Sequence, residues 1–190
     1  MDEVSPFTEN ELVDSTFIDG FLNNAVKEIL MKVPLRIITP AILSATGQIS
    51  NTDGTGQLLI PSEYLRLWSF KMEEWDEAVT TAITPEHWKY KLQKFTITRG
   101  KPSKPVVVEI TSHPKGVSSI TRYLKYYSVL SNHTVEDAYY VKYVVAETLQ
   151  ETLTDVLAYQ VAGNVFLSQN RQDMAKAMYD KVGEFIITNK

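Results

Sequence analysis

Hydrophobic residues recur at helical spacing at both ends of this chain and at strand spacing in its middle. Near the C-terminal end, Leu149, Leu153, Val156, Leu157, Val161 and Val165 form one stripe, and Met174, Ala177, Met178, Val182, Phe185 and Ile186 form a second. Thr148 and Glu151 have the T-x-x-E spacing of a capping box, which predicts that the first of these helices opens at Thr148. Ala162 and Gly163 leave room for a close neighbour. Ser168-Gln169-Asn170 reads as the turn between the two helices, with Asn170 as N-cap of the second. At the other end, Thr8 and Glu11 repeat the capping-box spacing, with Phe7 and Leu12 placed as a hydrophobic staple. Leu12, Val13, Phe17, Ile18, Phe21, Leu22, Ala25, Ile29 and Val33 then supply an apolar side. Gly20 is its weak point, and Pro34 ends it, because the residue before a proline is pushed out of helical geometry. Three stripes that must be buried predict a three-helix unit made from the two ends of the chain.

The middle changes period. Leu35–Leu43 is apolar but interrupted by prolines (Pro34 before it, Pro40 within it) and reads as extended chain, whereas Ser44–Gly56 is rich in Ser, Thr, Gly and Asn and reads as a flexible loop. Gln57–Ile60, Leu65–Met72 and Ala78–Ile83 are β-prone, with Trp68, Phe70 and Met72 expected on one face. Thr84-Pro85-Glu86 has the grammar of a helix start, with Thr84 as cap, and predicts a brief helix to about Gln93. Val106–Thr111, Ile120–Val129 and Ala138–Val145 follow, separated by turns at His113-Pro114-Lys115-Gly116 and Ser131-Asn132-His133. Short connections favour an antiparallel meander. The expected fold is α+β: residues 1–7 a flexible arm, then one domain over 8–190. Within it, 8–34 and 148–187 form the helical unit, and 57–145 a small antiparallel β module inserted between them.

A chain of 190 residues suits one domain with a sizeable core. No apolar run approaches the roughly 18–20 residues of a membrane helix, and the acidic start, Met1-Asp2-Glu3-Val4-Ser5-Pro6, has no signal-like apolar core. The absence of cysteine excludes disulfides, thiolate ligands and a cysteine nucleophile, and fits synthesis in a cytoplasm. The net charge of −4 hides a split. Between Trp88 and Lys125 nine Lys and Arg stand against one acid, Glu109, so that segment carries +8 and the remainder −12.

Catalytic and metal signatures are missing from the pattern. His87, His113 and His133 form no zinc spacing and read as solvated loop histidines. Asp53-Gly54-Thr55-Gly56 is half of a glycine-rich nucleotide loop, without the Lys-Ser/Thr pair or following helix, and reads as a mobile loop. Glu73-Glu74-Trp75-Asp76-Glu77 reads as a solvated turn. No cofactor, metal or catalytic residue is expected, and no enzyme activity. Lys89, Lys91, Lys94, Arg99, Lys101, Lys104, Arg122 and Lys125, with Tyr123, Tyr126 and Tyr127, are instead candidate contact residues. Basic residues with aromatics suit nucleic acid, but amphipathic tyrosines also suit protein interfaces. The overall acidity favours protein.

The order of several segments carries a resemblance. Ile60-Pro61-Ser62-Glu63-Tyr64-Leu65-Arg66-Leu67, Phe70-Lys71-Met72, Ala78-Val79-Thr80-Thr81-Ala82-Ile83, Thr98-Arg99-Gly100 and Lys104-Pro105-Val106 resemble the head-to-tail connector proteins of tailed bacteriophages. So do Asp155-Val156-Leu157-Ala158-Tyr159-Gln160-Val161-Ala162-Gly163-Asn164-Val165-Phe166 and Ala175-Lys176-Ala177-Met178-Tyr179. The chain is most similar to the ring proteins of crAss-like phages, over most of residues 10–187. The resemblance implies a virion structural protein at the head–tail junction, made in the host cytoplasm. It implies a homo-oligomeric ring, typically of twelve copies, between portal protein and adjacent tail or ring proteins, surrounding the channel through which DNA passes. Its structural motifs carry over no catalytic residue. The runner-up classes are a sequence-tolerant nucleic-acid-binding module using the basic 88–125 segment, and a small enzyme whose site assembles only in the fold.

Overall fold

The structure, a computed structural model, describes residues 15–112, 120–127 and 129–189. The arm, the Thr8–Glu11 capping box, its staple, and the turn at His113–Gly116 lie outside the described residues. The fold is α+β, with helices towards both ends and antiparallel sheets between. Two compact units divide it, one built from the chain up to Ile38 and from Val144 onward, the other from Thr39 to Tyr143.

In the helical unit, α1 (Ser15–Lys32) runs unbroken through Gly20 and ends before Pro34. Ala25, Val26, Ile29 and Leu30 are buried on it, as is Val33 just beyond its end. The expected helix start at Thr148 is displaced: Ala146–Thr148 and Glu151–Leu153 are separate 3₁₀ turns, and α3 runs Thr154–Ser168. The Thr148 hydroxyl donates to the Val145 carbonyl instead of capping a helix. α3 packs against both α1 and α4 (Gln172–Thr188). Asn170 is not the cap of α4. It has φ +58°, and the bonds Asn170 N–H to Leu167 O and Arg171 N–H to Phe166 O close α3 in a Schellman turn. The Arg171 guanidinium sits 5.2 Å from the Phe166 ring across that turn.

The seam of α3 buries a polar side chain that the stripe pattern omits. Gln160 is 2% exposed, and its amide donates to Glu28 of α1 and to Asn164. Tyr179 of α4 donates to the same Asn164 oxygen at 2.8 Å. Its ring lies over Gly163, where an added Cβ would stand 2.5 Å from Cε1. The smallness of Gly163 therefore admits a ring from α4.

The other unit holds two sheets. β1 (Ala41–Ile42), β7 (Val135–Lys142) and β4 (Tyr64–Met72) form one, in that order. β2 (Ile49–Ser50), β3 (Gly56–Leu59), β6 (Thr121–Tyr126) and β5 (Val107–Ser112) form the other. The expected meander holds for β5 and β6 only; β7 leaves its neighbour in sequence and inserts between β1 and β4. The cause lies in the Leu130–Thr134 turn. The Glu74 carboxylate takes the N–H groups of Leu130, Ser131 and Asn132, and Glu73 N–H bonds Thr134 O, so the chain is pinned to the end of β4. Those bonds, the one from Asn132 first, hold the Glu74 carboxyl below its ordinary range.

Both sheets feed one core, including Leu58, Leu67, Phe70, Met72, Trp75, Leu124, Tyr126 and Tyr140. In β4 the buried positions are Tyr64, Leu67, Phe70 and Met72, a spacing that no regular strand gives. Register irregularities between Tyr64 and Arg66 and between Leu67 and Ser69 account for it, since a bulge shifts the inward face by one residue. Trp68 is thereby removed from the expected face and packs edge-on against Tyr139. The β-prone run at Ala78–Ile83 contributes single bridges, Phe70 to Val79 and Ile83 to Val108.

Candidate interaction surface

The basic segment begins on α2 (Trp88–Leu92), one short helix capped by His87 in place of Thr84. The His87 Nδ1 accepts the Lys89 N–H at 3.2 Å, while Thr84 O accepts the His87 N–H in the turn before it. Behind the helix stands Gln93, 3% exposed. Its Nε2 donates to Lys89 O, its Oε1 accepts from Gly100 N–H, and its carbonyl accepts from Arg99 Nε. One amide thus ties both ends of the 94–100 loop to α2. A buried Gln after a basic helix was the available signal, and composition alone does not show it.

Five of the candidate cations face outward: Lys89, Lys91, Lys94, Lys101 and Lys104 are exposed, and none pairs with a carboxylate among the described residues. Lys101 and Lys104 bracket a tight turn through reciprocal backbone bonds, and Pro102 O within it accepts Asp76 N–H. Large apolar groups share this surface. Trp88 is 62% exposed, Phe95 64% and Ile97 90%. A groove of about 660 Å³ lies between α2, the Gly100–Val106 stretch and Glu77–Val79.

The other candidates are used internally. Arg99 donates to Asp53 O at 2.7 Å and stands 3.6 Å from its carboxylate, fastening the loop to the Asn51–Thr55 turn. Arg122 pairs with Glu109 at 2.6 Å and lies over the Tyr64 ring. Lys125 lies over the Tyr127 ring at 5.4 Å. Tyr126 is fully buried: its Oη accepts from Gln48 and shares a hydrogen bond with His133 Nδ1, 3.0 Å away. Tyr127 is also buried, and Tyr123 half-buried. Tyr126 and Tyr127 therefore cannot fill a contact with a partner, and His133 is half-buried, its Nδ1 hydrogen-bonded to Tyr126.

Two other motifs resolve into structure. Asp53 accepts the Thr55 N–H and hydroxyl, and that hydroxyl bond chiefly lowers its carboxyl from the ordinary value. Gly54, at φ +77°, passes so close to Val129 that an added Cβ would meet its carbonyl oxygen. This is a closed turn, with no cradle for a phosphate. The Glu73–Glu77 turn anchors the strand connection and buries Trp75. Among the described residues no group of His, Asp and Glu is placed to hold a metal ion, and no helix is long and apolar enough to cross a membrane.

Exposed ammonium groups and exposed apolar side chains thus occur together along residues 88–104, with the Lys89 ammonium 5.8 Å from the Trp88 ring. Set against models of known protein families the chain matches none, and no curated protein matches it in sequence.

Proposed function

We propose that this chain is a virion structural protein, the subunit of an oligomeric ring that joins a phage portal vertex to its tail and surrounds the DNA channel. The observation that carries the reading is the segment 88–104, where five lysines without a carboxylate partner among the described residues are exposed together with Trp88, Phe95 and Ile97. A ring of identical subunits needs a heterologous contact, one surface meeting a different one on its neighbour. Five exposed lysines of the +8 segment, set against a remainder of −12, supply charges of opposite sign for such a contact. The sequence resemblance to crAss-like phage connectors supports the same reading, and so does a helical unit made from both ends of the chain.

Size-exclusion chromatography with light scattering tests it. A closed oligomer of on the order of a dozen copies is expected, with assembly slowing as salt rises and surface charges are screened. A monomer that shifts on single-stranded DNA overturns the ring. That outcome would favour the second reading, a sequence-tolerant nucleic-acid module, for which the exposed indole of Trp88 beside Lys89 is the specific observation.

A further inference from the structure

We propose that the groove beside α2 receives the acidic N-terminal segment of a second copy of this chain, an inference that rests on the ring reading above. Residues 1–14 carry five acids, Asp2, Glu3, Glu9, Glu11 and Asp14, and no Lys or Arg; the first cation of the sequence is Lys27. The acids flank an uncharged stretch, Val4-Ser5-Pro6-Phe7-Thr8, with one aromatic residue. The groove is the complement of this pattern: Lys89, Lys101 and Lys104 line it, Trp88 presents an exposed ring, and about 660 Å³ is open. That volume lies within the roughly 300–1,000 Å³ of sites that enclose a small ligand or a few side chains. Phe7 against Trp88 would supply the apolar anchor that dominates such contacts. Carboxylates on either side would meet the lysines and set register.

The groove wall argues for a peptide over a polyanion. Glu77 lines it. A nucleic acid, charged at every phosphate, would meet that carboxylate. A segment whose charges flank a neutral centre can set that centre against Glu77. Fully extended, the chain from Phe7 to Ser15 at the start of α1 reaches at most about 25–30 Å. Arm and groove are different surfaces, as a head-to-tail contact requires.

The cysteine-free sequence makes the test direct. Two full-length variants, Thr8→Cys and Ser103→Cys, are mixed and treated with a short bis-maleimide. The Ser103→Cys chain should crosslink to the Thr8→Cys chain in several-fold excess over a control with Thr46→Cys, an exposed loop position outside the groove. Phe7→Ala in the first chain, or Lys101→Glu with Lys104→Glu in the second, should remove that excess. No excess over the control overturns the proposal. So does a bridge formed only within single chains that carry both cysteines, or a groove shielded by added single-stranded DNA while the arm never crosslinks. Light scattering on the same samples separates the two readings. A closed oligomer without the crosslink sinks the arm alone, whereas crosslinked chains that never close sink the ring and keep the arm.

Discussion

The β-rich unit and the helical unit hold themselves together by different means. In the first, fourteen buried residues form one apolar cluster, with Phe70 packed against Trp75 and Tyr126 at ring separations of 5.5 and 5.8 Å. In the second, no aromatic side chain is fully buried among the described residues, and the centre of the seam is Gln160 and Gly163. Apolar burial is non-directional and roughly proportional to area, so the β-rich core gains stability from almost any close packing. The Gln160 amide group donates to Glu28 and Asn164 while its own oxygen, Oε1, is buried without a partner, and beside it a ring is seated on a glycine, so that these bonds form in one register only. The first unit is built for stability and the second for a defined alignment of helices.

The largest expected effect breaks the β-rich side. Phe70→Ala should cost about 3–5 kcal/mol, the usual range for a buried aromatic truncated in a core. Followed by calorimetry and far-ultraviolet circular dichroism, the sheet transition should fall while helical signal persists above it. A single shared transition would show that the units unfold as one and that the contrast has no thermodynamic meaning.

Gly163→Leu addresses the other side and should cost about 1–3 kcal/mol by overpacking against the Tyr179 ring. Tyr179→Ala in the same chain should return part of that loss. If Gly163→Leu melts like the parent protein, the helices are not held as closely as described. Smaller still is Tyr126→Phe, which removes a hydroxyl from between Gln48 and His133 while keeping the ring. About 1–2 kcal/mol is expected, read as a lower urea midpoint with an unchanged slope. No change in midpoint would mean that the hydroxyl contributes nothing to the core.

The mildest prediction is alkaline. Burial pushes the Tyr127 phenol from its ordinary 10 up to about 12, with the Tyr90 hydroxyl next in effect; burial also raises Tyr64, with the Glu109 charge adding to it. A raised folded value means that the folded state holds the proton more tightly than the unfolded one. The stabilisation is therefore complete below pH 10 and is lost as pH rises through the folded value. Stability should stay level to about pH 10 and then decline towards pH 12, and Tyr127→Phe should flatten that decline. Phenolate absorbance that saturates near pH 10 in the folded protein would contradict it.

Helices were legible where one period persists. Ala25 and Ile29 on α1, and Val156 and Leu157 on α3, are buried as their spacing requires, but on α4 Met174 and Ala177 of the expected stripe are exposed and the buried residues are Ala175 and Val182. Helix ends were less so. Thr148 and Glu151 stand at capping-box spacing without the backbone that would use it, and Asn170 serves the helix before it. β4 defeated the period-two reading because bulges reset its phase, which no local pattern announces. Of the candidate surface, the outward lysines were legible from charge. Arg99 and Arg122 were not, because their partners Asp53 and Glu109 are brought in by tertiary structure. For Tyr126 a signal did exist. Leu124 and Tyr126 alternate with Tyr123 and Lys125 along β6, and strict alternation already puts Tyr126 inside.

The pairing of β1 with β7 bears on how the chain matures as it is made. Ala41 sits opposite Tyr140 and Ile42 opposite Tyr139, so the β-rich unit takes the chain in and sends it out along adjacent strands. α1 is synthesised more than a hundred residues before its partner on α3, as the separation of 132 between Glu28 and Gln160 records. A free loop of that length would hold the two apart entropically. Once the intervening unit has folded, its paired first and last strands bring the two helical segments near each other. During synthesis, α1 must wait with its apolar side uncovered until α3 emerges, and this interval is when the nascent chain is most exposed to misassembly with its neighbours on the same message.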